Sequence, residues 1–283
     1  MNADALFEEA AAALRAGRVA EARDLFGQAG AAGRHDAAVI HCNLTASTGD
    51  WAGGIRLLAG LARTDRRCRR QFELIRTMDL SATLRGEVVS EAPHLTLFRG
   101  LFTAGECRYL IDAAAAMLVP SVVVDPATGA QRPDPVRRSD SAGLTLPLEN
   151  PAVHALNRRI AAASGTNWAQ GEPLQVLRYR PGGEYKPHFD AIPGFANQRI
   201  LTMIVWLNEG YEGGETRFMK TGARLKGRTG DALLFRNALP DGRRDEASGH
   251  AGLPVTKGEK LIASRWLRAR PYGSAQEAAA DGV

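Results

Sequence analysis

The chain has 283 residues, 45% hydrophobic and 24% charged, with a formal net charge of +5. This is the composition of an ordinary globular protein; it excludes a low-complexity chain and leaves room for one large or two modest domains. No apolar run approaches the ~20 residues of a membrane span. The 36 basic residues are spread out apart from short clusters such as Arg66-Arg67-Cys68-Arg69-Arg70, so neither a membrane nor a nucleic acid is the expected partner.

The first residues, Met1 to Glu9, carry early acids and no basic segment, which speaks against a secretory leader. Cys42, Cys68 and Cys107 are odd in number and show no metal or redox spacing. They are expected to be small buried hydrophobes in a reducing compartment, the cytoplasm. Residues 1 to 82 predict helix throughout, because Leu6, Ala10 and Leu14 recur at helical spacing, as do Ala22, Leu25, Phe26 and Ala29. Gly17, Ala20, Leu25 and Phe26 return 32 residues later as Gly49, Ala52, Leu57 and Leu58, a period that resembles tetratricopeptide-type helical hairpins. One helix pair cannot bury its apolar stripe alone, so two pairs should stack or lean on the catalytic domain, and a helical repeat offers a concave face for a substrate or partner.

Composition shifts over residues 81 to 93, and His94 to Phe98 reads as a strand. Thr103-Ala104-Gly105-Glu106 has the form of a capping box and opens a helix running to about Met117. Residues 121 to 142, rich in Pro, Gly, Asp and Arg, read as a loop over the site, and Asn150 to Ala163 reads as a helix. Short β-rich runs follow at 174–179, 201–207, 216–218, 231–236 and 260–268, separated by Gly, Asp and Asn turns. Many short strands with such turns suit the jelly-roll type of sandwich, the double-stranded β-helix. The expected architecture is α+β: a helical repeat-like domain over 1–82, a β-helix catalytic domain over 83–272, and a flexible tail over 273–283.

His188-Phe189-Asp190 is the stretch with the most chemistry in it. If it lies at a strand end, the i and i+2 side chains project from one face and both reach one cation. His250 follows from a strand distant in the chain, and Lys260 from a later one. Two imidazoles and a carboxylate on one face of a metal leave three positions open, which is the arrangement of non-haem Fe(II) oxygenases.

The surrounding residues resemble the prolyl 4-hydroxylase branch of the 2-oxoglutarate-dependent Fe(II) dioxygenases. Leu174 to Tyr179 runs into Tyr185-Lys186-Pro187-His188-Phe189-Asp190. Arg199 to Leu207 is followed by Gly213-Gly214-Glu215-Thr216, then Gly230 to Phe235 and Pro240-Asp241-Gly242. The last block runs from His250 to Trp266 and contains Lys257-Gly258-Glu259-Lys260. The blocks keep the family's order, and the resemblance covers roughly residues 93 to 270. It implies Fe(II) on His188, Asp190 and His250, with O₂ and 2-oxoglutarate as cosubstrates and ascorbate as an accessory reductant. It further implies Lys260 on the distal carboxylate of 2-oxoglutarate, helped by the hydroxyls of Tyr179 and Thr216. Tyr185, Arg199 and Trp266 would fall at the mouth, where the family holds its substrate. A buried dicarboxylate needs a cation at its far end, and a lysine with hydroxyls supplies that physically.

Each residue also has a plain structural role open to it. Tyr179 and Tyr185 suit half-buried strand positions, Arg199 a solvated charge, Trp266 a core position, Thr216 a strand start, and Lys260 a sheet edge. Departures from the family pattern fall on the substrate side. Leu261 follows the lysine where the family often has Trp, Arg268 stands where it commonly has His, and the segment from Asp190 to Arg199 is short. The implied reaction is hydroxylation of an amino-acid side chain, prolyl or other, in a peptide or protein. Two alternatives remain at this stage: an oxygenase acting on a free amino acid or other small molecule, and a non-enzymatic repeat-bearing binding protein, against which the intact triad and Lys260 argue.

Overall fold

The structure, a computed structural model, describes residues 2–79, 85–124, 131–133 and 136–273. The expected junction at residue 82 and the tail beyond Gly273 lie outside the described residues. By packing, the chain forms two compact units: residues to 81 together with Thr145–Leu156, and residues 82–144 together with Asn157 onward.

The first unit opens with five helices, α1 (Ala3–Arg15), α2 (Val19–Ala31), α3 (His35–Ser47), α4 (Trp51–Leu61) and α5 (Arg66–Thr77). Each packs on the next. Leu6, Ala10, Ala13, Ala22, Phe26, Ala29 and Ala37 form one apolar core, so the periodicity read from the sequence is the buried stripe. The repeat has a backbone cause. Gly17 and Gly49 follow the first helix of each hairpin in the left-handed conformation, φ 74° and 113°, which ends a helix cheaply only for glycine. Thr145–Leu156 belongs to this unit: Asn43 Nδ2 donates to Pro147 O at 2.9 Å, and the His154 ring lies 5.9 Å from that of Trp51.

After α5 the elements are, in order, β1 (Gly86–Glu91), β2 (His94–Phe98), α6 (Ala104–Ala114), β3 (Val119–Pro120), β4 (Val122–Val124), β5 (Gln131–Pro133), β6 (Asp140–Leu144) and α7 (Pro151–Ser164), whose residues to Leu156 belong to the first unit and the rest to the second. There follow β7 (Leu174–Tyr179), β8 (Tyr185–His188), β9 (Arg199–Trp206), β10 (Glu212–Gly213), β11 (Thr216–Phe218), β12 (Arg224–Leu225), β13 (Ala232–Arg236), β14 (His250–Gly252), β15 (Val255–Lys257) and β16 (Lys260–Arg268). An eight-stranded sheet has the order β1-β2-β13-β9-β16-β7-β6-β3, and a four-stranded sheet β12-β11-β14-β8. Leu97, Leu177, Ile204, Trp206, Leu233 and Ile262 of the large sheet share a core with Phe218 of the small one, as two sheets of a double-stranded β-helix do.

The capping box at Thr103 is formed by both of its reciprocal bonds. The stretch 121–142 differs from the expected loop: β4 pairs with β5, and β6 pairs along its whole length with β7. Asp140-Ser141-Ala142-Gly143-Leu144 has little intrinsic strand preference; the open edge of β7 makes it a strand, an instance of tertiary context overriding propensity. Among the described residues no helix is long and apolar enough to cross a membrane.

Candidate active site

β8 ends at His188 and β14 begins at His250, and the antiparallel register sets the two opposite each other. Asp190 lies two residues past His188, on the same side. His188 Nε2 is 3.6 Å from Asp190 Oδ1, and His250 Nε2 is 3.8 Å from Asp190 Oδ2. One ligand atom from each of the three falls within 4.8 Å of the others.

The imidazoles are oriented by backbone. His188 Nδ1 lies 2.7 Å from Lys186 O and His250 Nδ1 2.9 Å from Ser248 O. A carbonyl only accepts, so each Nδ1 carries the hydrogen, which leaves Nε2 as the atom that faces Asp190 and is available to a metal. Burial, and then the neighbouring His250, push the His188 pKa down to about 4, so this ring is neutral near pH 7. Burial opposes ionisation of Asp190, yet His250, His188 and the Thr202 hydroxyl hold its carboxyl below the usual range. Thr202 Oγ1 donates to Asp190 Oδ2 at 2.7 Å and accepts from Asn237 Nδ2 at 2.7 Å. Two imidazole Nε2 atoms and a carboxylate thus converge on one point, a donor set that fits Fe(II).

Lys260 opens β16 opposite Tyr179 of β7. It is 3% exposed, and its Nζ donates to Gly214 O at 2.7 Å. Among the described residues no carboxylate pairs with it. Burial pushes its pKa down to about 8, against the pull of Glu215. A buried ammonium with three hydrogens and one acceptor is half of an ion pair, and the pocket fits an anion there. Tyr179 and Thr216 line this pocket along with His188, Asp190 and His250, and Leu177, Ile204 and Ile262 give it apolar walls suited to the methylenes of a dicarboxylate.

The remaining expected residues divide. Tyr185 stacks on the His188 ring at 3.5 Å between centroids and lines the pocket. Trp266 lines it too while being 6% exposed, so it is at once core and wall. Arg199 is not among the lining residues. It forms a fork-to-fork pair with Glu172 at 2.6 and 2.8 Å and lies 4.0 Å over the Trp266 ring, behind that wall. Arg268 bonds the same Glu172 at 2.7 Å and Asn197 O at 2.7 Å, and is buried.

Sequence reasoning missed Thr202, Asn237, Glu172 and Arg137. The Arg137 guanidinium sits 5.5 Å from the Tyr185 ring centroid, and its charge opposes protonation of His188. It lay in the stretch expected to be loop. Nothing in the sequence around Thr202 distinguishes it from any strand threonine.

A double-stranded β-helix with a two-histidine, one-aspartate cluster beside a buried lysine defines the class: a 2-oxoglutarate- and Fe(II)-dependent oxygenase. The profile of the 2OG-Fe(II) oxygenase superfamily matches residues 174–268. Prolyl 4-hydroxylase 1 of Arabidopsis thaliana is 36% identical over 204 residues, covering 65% of this chain and 72% of that protein. Probable prolyl 4-hydroxylase 10 of the same plant is 33% identical over 210 residues, covering 66% and 72%. Among solved structures, the 2OG complex of the viral collagen prolyl hydroxylase from Paramecium Bursaria Chlorella virus-1 aligns with a TM-score of 0.51 at 28% identity, covering 64% of this chain and 99% of that one. The chain belongs to the prolyl 4-hydroxylase family. It is a dioxygenase that uses Fe(II), 2-oxoglutarate and O₂.

Proposed function

We propose that the protein hydroxylates a prolyl side chain within a peptide or protein. The observation that carries this reading is the convergence of His188, Asp190, His250 and Lys260 in one pocket of a prolyl 4-hydroxylase-family chain. Iron and 2-oxoglutarate, when bound, supply the oxidative chemistry: O₂ and 2-oxoglutarate are consumed, succinate and CO₂ leave, and one oxygen atom enters a C–H bond of the substrate. The protein's own part is to bind, orient and exclude water.

In this reading His188, Asp190 and His250 hold the metal, and the Thr202–Asn237 chain fixes the Asp190 carboxylate. Lys260 holds the far carboxylate of 2-oxoglutarate, and the Tyr179 and Thr216 hydroxyls fill its remaining lone pairs. Tyr185 and Trp266 wall the side from which a C–H bond approaches, and Arg199, gripped by Glu172, stiffens Trp266 from behind. The helical region to residue 82 selects the polypeptide, the region to 272 performs the chemistry, and ascorbate keeps the iron ferrous between turnovers. Three buried free cysteines support a reducing compartment, the cytoplasm.

The test is incubation of the full chain with Fe(II), 2-oxoglutarate and a library of proline-containing peptides, reading succinate and, by mass spectrometry, one added oxygen on proline. Asp190→Ala serves as the blank. Succinate stimulated by a free amino acid but by no prolyl peptide would replace this reading with the small-molecule one.

A further inference from the structure

α5 is attached to the helical unit by one apolar side. Cys68 is buried there, and Phe72 and Ile75 are half-buried against Leu58 and Ala62. Its other side is arginine. Arg66, Arg67, Arg69 and Arg70, with Thr64 and Glu73, border an open hollow, and Arg63 just before it is exposed as well.

Helix electrostatics disfavours this arrangement. The first turn of a helix favours acids, yet α5 begins with Arg66-Arg67 and has no acid in its first turn. Arg66 and Arg70 are four residues apart, Arg67 and Arg70 three, and like charges at those spacings repel. Asp65 is already committed to the backbone of Arg67 and Cys68 and to the His35 ring at 2.7 Å. Glu73, one turn past Arg69 and Arg70, offsets only the C-terminal half. Arg69 donates to the carbonyls of Ala62 and Arg63, both at 3.0 Å. Among the described residues no acid pairs with Arg63, Arg66 or Arg67. Elsewhere in the unit three arginines are matched: Arg18 with Glu21, Arg23 with Asp24, Arg34 with Asp4 and Asp36. Among the described residues Arg15, Arg56 and Arg76 are unmatched singly, whereas Arg63, Arg66 and Arg67 are unmatched within one five-residue stretch, so the mismatch is concentrated on this face.

We infer that Arg63, Arg66 and Arg67 dock an acidic stretch of a polypeptide, a run of Asp or Glu in the substrate outside the hydroxylated residue. The partner's identity rests on the peptide-hydroxylase reading; the charge of the face does not. Planar guanidinium forks match carboxylates two-pronged. A nucleic acid fits less well: α5 is 12 residues long, a track of only about 18 Å, and no aromatic side chain borders the hollow for a base to stack on.

The test uses the full chain and a fluorescent oligoglutamate peptide, read by anisotropy. Wild type should bind it, less so as salt rises from about 0.05 to about 0.5 M. Changing Arg63, Arg66 and Arg67 together to Gln should weaken binding roughly tenfold, about 1.4 kcal/mol. The same three positions changed to Lys keep the charge and should retain most of it, which separates lost charge from a misfolded helix. With a prolyl peptide carrying a glutamate run, the Gln variant should raise KM and leave kcat; a neutral prolyl peptide should be handled as by wild type. Equal oligoglutamate binding by wild type and Gln variant overturns the inference. So does tighter binding of single-stranded RNA or DNA that the Gln variant loses. Binding that behaves as expected while no prolyl peptide is turned over would sink the function reading and leave the acidic docking face standing.

Discussion

In the helical unit the residues removed from water are mainly small and apolar: Ala10, Ala13, Ala22, Ala29 and Ala37 are fully covered. In the β unit the covered set includes Glu106, Asp140, Glu172, Asp190, Asp231, Lys260, Arg265 and Arg268. Buried ions persist when they are paired, because an unpaired one is costly. Most of these are: Glu106 with Arg159, Asp140 with Arg178, Glu172 with Arg199 and Arg268, Asp231 with Arg99. Arg265 donates to carbonyls of Asn157, Trp168 and Glu172. Two stand apart. Asp190 faces imidazoles, one of them neutral, and Lys260 has one carbonyl. The contrast teaches where function sits. The interior of one region is closed by packing, while the other keeps one anion and one cation whose missing partners, in the proposed reading, are a metal and a dicarboxylate.

The sharpest way to break that comparison is Asp190→Ala. Turnover should fall to background and tight iron binding should vanish, and because the folded protein holds the Asp190 carboxyl below its usual range, the metal-free melting temperature should fall somewhat as well. Near-wild-type turnover would end the assignment. Asp190→Glu should be almost as poor, because a site held to about 0.5 Å does not absorb an extra methylene.

Next in size is Lys260→Ala, which leaves the distal carboxylate buried and unpaired. Such a loss costs about 3–5 kcal/mol, so the KM for 2-oxoglutarate should rise by roughly 10²-fold with little change in iron requirement. Equal loss of both would indicate a folding defect. The pH dependence follows from the same residue, whose pKa falls from 10.5 to about 8 on burial. Between those values the unfolded chain holds a proton that the folded one lacks, so stability should rise with pH across that window. The burial cost is present in full below about 8. Lys260→Met should flatten that slope in melting curves. Bound 2-oxoglutarate favours the charged form, so its KM should climb as pH rises past about 8, with proton uptake on binding.

Thr202→Val sharpens the comparison at the next shell of contacts. It removes the hydroxyl that fixes Asp190 Oδ2 and leaves Asn237 Nδ2 without its acceptor. Loss of such an outer partner costs roughly 10–100-fold in metal affinity, measurable by iron titration. In the helical unit the corresponding experiment is Gly54→Val. A Cβ there would sit 2.5 Å from Ala46 Cβ and 2.7 Å from its Cα, so helices must separate. Overpacking of that kind costs about 1–3 kcal/mol. The melting temperature should fall, and turnover per folded molecule on a short peptide should not change.

The candidate metal residues were legible because their chemistry is local: His188 and Asp190 are two apart at a strand end, with an imidazole and a carboxylate on one face. Lys260 was legible only through family resemblance, as were Tyr179 and Thr216. Arg199 read as a solvated charge or a mouth residue; its half-buried pairing with Glu172 was not foreseeable, because Glu172 lies on a different segment. Arg268 was noticed as a departure, but its burial against Glu172 and Asn197 was not foreseeable from the residue type. Arg137 and β6 were hidden by composition: Pro, Gly, Asp and Arg signal loop locally even where a sheet edge recruits them.

By itself the sequence determined the helical hairpins, the order of the β runs and the inventory of ligands, since these depend on periodicity, turn residues and functional groups carried within a few residues. Tertiary structure alone decided that His250 faces His188 across β8 and β14, that Thr202 aims a hydroxyl at Asp190, and that Arg199 stands behind Trp266. It also assigned Thr145–Leu156 to the helical unit. Those outcomes depend on strand register and on which distant charges meet once water is excluded, and neither is written in local spacing.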